Sequence, residues 1–154
     1  MEKELVLYDN HLIHKIKFHI YHHEYDGSYN YSLSLDVWEK NDDGKEILIN
    51  GWQKLDVVPK KWMAMLDWLE MNLRNKVFDS ELVLKGRGIV EKKEFWNVVE
   101  SDTQFTMREV DYNGSKAIKL SQQTTFYGSS ITLPVKHFFQ LIAFLRRVLP
   151  GLPE

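Results

Sequence analysis

The 154-residue chain predicts an α+β fold built as a tandem repeat, ββββα-ββββα: an antiparallel β-meander runs into a helix, the pattern recurs, and the two helices pack together. Three observations predict it. A strand–proline–helix junction occurs twice at a constant spacing of 76 positions, so that Leu55, Val57, Lys60, Trp62, Leu66, Trp68 and Leu69 match Ile131, Leu133, Lys136, Phe138, Ile142, Phe144 and Leu145. In each half the hydrophobic period changes at that junction from that of a strand to that of a helix. Each half also carries a glycine hairpin signal, Asp43-Gly44 and Asn113-Gly114; at an offset of 70, Leu35, Val37 and Glu39 meet Phe105, Met107 and Glu109. An internal repeat constrains a fold more tightly than local propensity does. The expected units are residues 1–77 and 78–154. They form one compact pseudo-symmetric domain, because the join from Asn75 to Ser80 is short and partly apolar.

In the first unit, His14 to Tyr21 places Ile16, Phe18 and Ile20 on one face of a strand. Tyr29 to Trp38 follows, with Tyr29, Tyr31, Leu33, Leu35 and Val37 on one face and Asn30, Ser32, Ser34, Asp36 and Trp38 on the other. Asp42-Asp43-Gly44 suits a type I′ turn, since Asp-Gly accepts positive φ. Glu46 to Leu55 returns as one strand, or as two broken near Asn50-Gly51. After Pro59, which costs nothing in a first helical turn, Trp62, Met65, Leu66, Leu69 and Leu73 form a helical stripe.

The second unit repeats the scheme. Glu81 to Val90 and Glu94 to Val99 are strand-like, with a bend expected at Gly86 and Gly88. Phe105 to Glu109 runs to the Asn113-Gly114 turn, and Lys116 to Gln123 returns. Ser129 to Leu133 enters a helix that buries Phe138, Leu141, Ile142 and Leu145 and stops at Pro150-Gly151. The drift in offset from 70 to 76 implies about six extra residues between Ser121 and Ser130. The helical aromatics Trp62, Trp68, Phe138, Phe139 and Phe144 make a stripe too wide for one small sheet, so the two helices meet each other or a second chain.

Composition narrows the function classes. An apolar fraction of 44% supports a packed core, and the absence of cysteine fits a reducing compartment with no disulfide framework or thiolate metal site. The N-terminus lacks a signal-peptide pattern, and no apolar run approaches the roughly 20 residues of a membrane span. The expectation is a soluble, cytoplasmic protein. Residues 1–77 hold 10 basic and 13 acidic side chains, and residues 78–154 hold 10 and 9. A binder of duplex DNA through phosphate neutralisation shows a clear basic excess, so any nucleic-acid affinity has to come from a local face.

Catalytic and metal signals are thin. His11, His14, His19, His22 and His23 crowd one region, but a strand divides them between faces and no cysteine or zinc-protease pattern accompanies them. The expectation is solvated or hydrogen-bonding strand histidines, without a metal or cofactor. No nucleophile elbow, P-loop or dinucleotide fingerprint is present, so a non-enzyme is expected.

The strand faces are more informative. With Ile16, Phe18 and Ile20 inward, Lys15, Lys17, His19 and Tyr21 point outward, and Ser32, Ser34 and Trp38 share that face. In the second unit the equivalents are Thr106 and Arg108, then Lys119, Ser121 and Gln123. Cations beside rings and small polar residues suit single-stranded nucleic acid, whose phosphates meet the cations while its bases stack. An ordinary solvated sheet face uses many of the same residues. The candidate nucleic-acid-binding residues are Lys15, Lys17, His19, Tyr21, Trp38, Arg108 and Lys119. Trp52 and Trp96 fit either face.

The segments Leu55-Asp56-Val57-Val58-Pro59-Lys60-Lys61-Trp62 and Ile131-Thr132-Leu133-Pro134-Val135-Lys136-His137-Phe138, each after a meander with an Asp-Gly or Asn-Gly hairpin, carry a resemblance. They resemble the single-stranded-nucleic-acid-binding superfamily of the transcriptional coactivator positive cofactor four, the Whirly proteins and the PUR domains. That resemblance implies units of four strands and a helix paired through their helices, here in one chain as in a PUR-type double repeat. It also implies binding of single-stranded DNA or RNA on the strand surfaces, and it is compatible with a homodimer through the helix faces. The chain departs from the family in its net charge of −2. A second expectation follows: an interaction or scaffold module that keeps the fold without nucleic acid.

Overall fold

The computed structural model describes residues 2–85, 89–92, 97–99, 102–112, 114–124 and 128–153. The first unit comprises β1 (Glu2–Asp9), β2 (Leu12–His22), β3 (Tyr29–Lys40), β4 (Glu46–Val57) and α1 (Pro59–Arg74). The second comprises β5 (Ser80–Leu84), β6 (Ile89–Lys92), β7 (Asn97–Val99), β8 (Thr103–Tyr112), β9 (Ser115–Gln123), β10 (Gly128–Leu133) and α2 (Val135–Val148). Strands β1-β2-β3-β4 form one antiparallel meander, β10-β9-β8-β5 a second, and β6-β7 a separate hairpin. The fold class is therefore α+β, with two four-stranded antiparallel sheets, each followed in the chain by a helix.

The constant offset of 76 holds at both junctions. Helix α1 begins at Pro59 and α2 at Val135, 76 positions later, with Pro59 in the first helical turn and Pro134 one step earlier, at the N-cap. The matched apolar residues Leu55, Val57, Trp62, Leu66, Leu69 and Ile131, Leu133, Phe138, Ile142, Leu145 are all buried. The offset of 70 does not hold. Gly44 lies between the third and fourth strands of its sheet, whereas Gly114 lies between β8 and β9, the second and third strands in order from β5. The true counterpart of the 113–114 turn is the stretch between His22 and Tyr29, and a whole strand separates the two turns that were matched. Short alternating segments match many others, so two or three shared residue types did not establish equivalence.

Other differences are local. The alternation of Leu5 and Leu7 makes β1 an edge strand that was not anticipated. The expected strand Glu81 to Val90 ends at Leu84, and the hairpin β6-β7 intervenes before β8. The Asp43-Gly44 turn is a three-residue loop instead of type I′. The Asn41 N–H donates to the Lys45 carbonyl at 2.9 Å, the Asn41 side chain accepts from the N–H groups of Asp43 and Lys45, and Gly44 takes φ +80°. Of the two expectations for Glu46 to Leu55, the single strand holds: β4 runs unbroken from Glu46 to Val57, with an irregularity at Asn50-Gly51. The β3–β4 register shifts twice, between Leu35 and Val37 and between Val37 and Trp38, so β4 bulges there. The bend at Gly86 and Gly88, the placement of Trp96, the side chain of Trp52 and residue Asn113 lie outside the described residues.

One hydrophobic core draws on both units, and the helices are exchanged across it. Trp62 of α1, 0% exposed, meets Phe105 of β8 edge-on at 6.1 Å. Beside it, Lys61 Nζ donates to Thr103 Oγ1 at 3.3 Å. Helix α2 lies on the first sheet, where Lys136 pairs with Asp9 at 3.0 Å and His137 packs on His14 with ring centroids 4.9 Å apart. The helices touch through Arg146, which donates to Asp67 at 2.8 Å and also to Glu70. Glu70 holds Arg74 at 2.7 Å, and these guanidinium contacts keep its carboxyl below the usual range. At the sheet edges, the Thr132 N–H of β10 donates to Gln53 Oε1 of β4 at 3.0 Å.

Of the solvated or hydrogen-bonding strand histidines expected, His14 is not solvated: it is fully buried, in phase with Ile16 and Phe18. Around it stand His137 and Lys136 of α2, Asp9 of β1 and Tyr112 of β8, whose hydroxyl lies 3.4 Å from His14 Nε2. Burial first, then the neighbouring His137, lowers its pKa from 6.5 to about 4, and burial also lowers that of His137.

Two outcomes follow from this packing. Residues 1–77 alone lack Phe105 for Trp62 and α2 for their sheet. This piece is expected to show no cooperative thermal unfolding by circular dichroism, and mixing it with residues 78–154 restores the transition. A well-dispersed NMR spectrum of residues 1–77 alone would refute the exchange as a folding requirement. The second outcome concerns acid. The unfolded chain takes up the His14 proton near pH 6.5 and the folded chain only near 4, so stability is complete above that window and falls as pH drops through it. The loss approaches roughly 3 kcal/mol at the acid end, using about 1.4 kcal/mol per pH unit. Urea midpoints should decline steadily from pH 7 to pH 5, and His14→Leu should flatten that slope.

Candidate nucleic-acid interface

The alternation of β2 places Lys15, Lys17, His19 and Tyr21 on the face of the first sheet turned away from the helices, beside Asn30, Ser32, Ser34, Asp36 and Trp38 of β3. Arg108 and Lys119 stand opposite each other on the outer face of the second sheet. The seven candidates thus divide between two sheets that meet at the edges of β4 and β10. The register aligns them across that seam. Lys17, Ser34 and Lys54 form one cross-strand row, and Thr132, Lys119 and Arg108 form another. The rows end on Lys54 and Thr132, next to the Gln53–Thr132 hydrogen bond.

Lys15 and Trp38 serve each other. The ammonium sits 4.8 Å from the Trp38 ring centroid and 3.1 Å from Glu46, with Asp36 opposite it on β3. A ring covered by a cation is a poor platform for a base, and a cation already paired is a poor phosphate ligand. Arg108 lies 3.9 Å from Glu81, a looser surface pair. His19 Nε2 and Ser34 Oγ share a 2.9 Å hydrogen bond, which fixes the ring over the middle strand. Tyr21 is 63% exposed.

The most informative geometry is a trough along β3. That strand offers short side chains, Asn30, Ser32 and Ser34, while its neighbours offer taller ones: His19 and Tyr21 from β2, Lys54 and Asp56 from β4. The space over Asn30 and Ser32 is about 750 Å³ and continues past the start of β3 and the end of β4, where Tyr29, Tyr31, Val57, Val58 and Pro59 line it. The hairpin beyond it is built from rings. His22 stacks on Tyr29 at 4.5 Å, Tyr29 on Tyr31 at 6.2 Å and Tyr31 on Phe18 at 6.0 Å, a column that runs into the core. The Tyr31 hydroxyl donates to the carbonyl of Pro153, tying the C-terminal tail to this column. The turn is held by Asp26, whose carboxylate accepts from the Ser28 N–H at 2.9 Å and hydroxyl at 2.7 Å. Those bonds lower the Asp26 pKa. Gly27, at φ +73°, completes it.

Lys54, Asp56 and Asn30 were not singled out from sequence. A signal for the first two existed: downstream of the Asn50-Gly51 bulge, Gln53, Leu55 and Val57 alternate with Lys54 and Asp56, but the bulge hides that phase from a reading that begins at Glu46. Among the described residues, no group of three or more histidine, aspartate or glutamate side chains could hold a metal ion.

No protein-family model matches the chain, and no curated protein gives a significant match. Among solved structures, the chain is similar to the crystal structure of WHY1 from Arabidopsis thaliana, at 12% sequence identity and a TM-score of 0.38, with 97% of this chain and 90% of that one covered. The alignment spans nearly all of both chains but superimposes them loosely.

Proposed function

We propose that the protein binds single-stranded DNA or RNA, without catalysing a reaction on it, in the trough along β3 and onward across the seam towards Lys119 and Arg108. The observation that carries this reading is the trough itself, where exposed Tyr21 and the fixed ring of His19 stand one or two register rows from the ammonium groups of Lys17 and Lys54. Unpaired bases can stack on such rings at about 1–3 kcal/mol each while their phosphates meet the cations. A duplex hides its base faces and leaves the rings without a role. Because the net charge is −2, the attraction is local and modest. Lys15 and Trp38 hold each other outside the trough, while Lys17, His19, Tyr21, Arg108 and Lys119 are the working residues of the site, joined by Lys54.

A second reading, an interaction or scaffold module, has its own observation. Past the bulges, Ile47, Leu48 and Ile49 of β4 are 52%, 46% and 46% exposed in succession, which suits a protein surface.

Fluorescence anisotropy with a labelled twelve-residue oligothymidylate and its uridine counterpart separates the two. Binding is expected at low salt, and affinity should fall about a hundred-fold for a ten-fold rise in salt if roughly three phosphates are contacted. Tyr21→Ala and Lys54→Ala should each weaken binding about ten-fold, while Arg147→Ala on the exposed side of α2 leaves it unchanged. No binding of either strand at low salt would sink the proposal in favour of the second reading.

A further inference from the structure

An acidic side chain inside a groove for a polyanion calls for a physical reason. Asp56 projects from the outer face of β4 in register with Ser32, which in turn faces His19, and it lines the trough between Lys54 and Val58. A carboxylate there repels a phosphate. The cations stand one row away, where Lys17, Ser34 and Lys54 are in register. The two rows therefore divide the work: the lysine row suits the backbone of a strand, and the row of His19, Ser32 and Asp56 suits a base.

A carboxylate only accepts hydrogen bonds, through two oxygens side by side. The four common bases differ sharply in what they offer such a pair. Guanine presents two parallel donors, N1–H and N2–H, on one edge. Adenine and cytosine place a lone pair next to their amino group, and uracil or thymine flanks its single N–H with two carbonyl oxygens. Each of those three turns at least one acceptor towards a carboxylate oxygen. Guanine alone matches both oxygens, in the bidentate manner by which planar donor pairs meet carboxylates. Of its acceptors, O6 and N7 are groups that the Ser32 hydroxyl and the Asn30 amide, both lining the trough, could serve as donors, and the exposed Tyr21 ring stands one row further along as a surface for stacking.

We propose that the trough is a guanine-selective base site, in which Asp56 accepts from N1–H and N2–H, Tyr21 stacks on the base and Lys54 receives the adjoining phosphate. The proposal rests on the strand-binding reading above and assigns the selectivity of that same site.

The test uses the full chain and two kinds of probe. The 5′-monophosphates of guanosine, adenosine, cytidine and uridine are titrated against protein carrying labelled tyrosine, with ring shifts followed by NMR. In parallel, the labelled oligothymidylate is compared with the same strand bearing one central guanine. Expected are a preference of ten-fold or more for the guanosine nucleotide and a similar gain for the guanine-bearing strand. Asp56→Asn, isosteric and at an exposed position, should erase both preferences. Equal affinity for all four nucleotides, or a preference that survives Asp56→Asn, would overturn the proposal and leave Asp56 as a solvated surface residue. If the oligothymidylate binds in either of those cases, the strand-binding reading stands without the selectivity. If neither strand binds, both fall together.

Discussion

The exchange of helices between the two sheets is the constraint on which the rest depends. Each meander has one apolar face, and in both cases a helix from the other unit does much of the covering: Trp62 reaches Phe105, and α2 lies over β1 and β2. With the helices occupied on the inside, the outer faces of both sheets are left to solvent. Their edges come together at β4 and β10, where a side chain, Gln53, bridges to a backbone N–H instead of a continuous ladder. The outer surface is consequently broad, slightly discontinuous and free of helical cover, and the trough exists because nothing in the fold needs that space.

Much of this was legible in the sequence, and the part that was not has physical causes. The junctions at Pro59 and Pro134 were readable because a helix must begin where period two ends, and large apolar residues at fixed spacing are hard to place by chance. Face assignment on β2 and β3 was equally readable, since Ile16, Phe18, Leu33 and Leu35 leave only one side for Lys17 and Ser34. The hairpin equivalence was misread, because Asp-Gly and Asn-Gly report the need for positive φ at a turn and not which turn it is. The exchange of helices could not be read at all. A buried stripe on α1 is the same whether it covers its own sheet or its neighbour's.

The candidate site shows the same division. Alternation identified outward cations and rings, but not which of them spend themselves on one another. Lys15 and Trp38 look like independent binding residues as letters, and in the structure they stand against each other with Glu46 beside the ammonium. Lys54 and Asp56, by contrast, take their place in the trough from the register of β4, which two bulges reset. What determines the trough is relief: short side chains on the central strand between taller ones on both sides. That pattern exists only across strands and never along one.

The bulges that reset β4 also leave a liability. They tip Glu46 to Asn50 past the end of β10, so this stretch pairs with β3 on one side while Ile47, Leu48 and Ile49 are exposed. Natural sheets usually blunt such edges with lysine or proline, and the run from Ile47 to Gly51 contains neither. Glu46 and Lys45 guard one end only. Concentrated protein would therefore be drawn towards edge-to-edge association, and its colloidal behaviour would be governed by these three residues more than by the core beneath them.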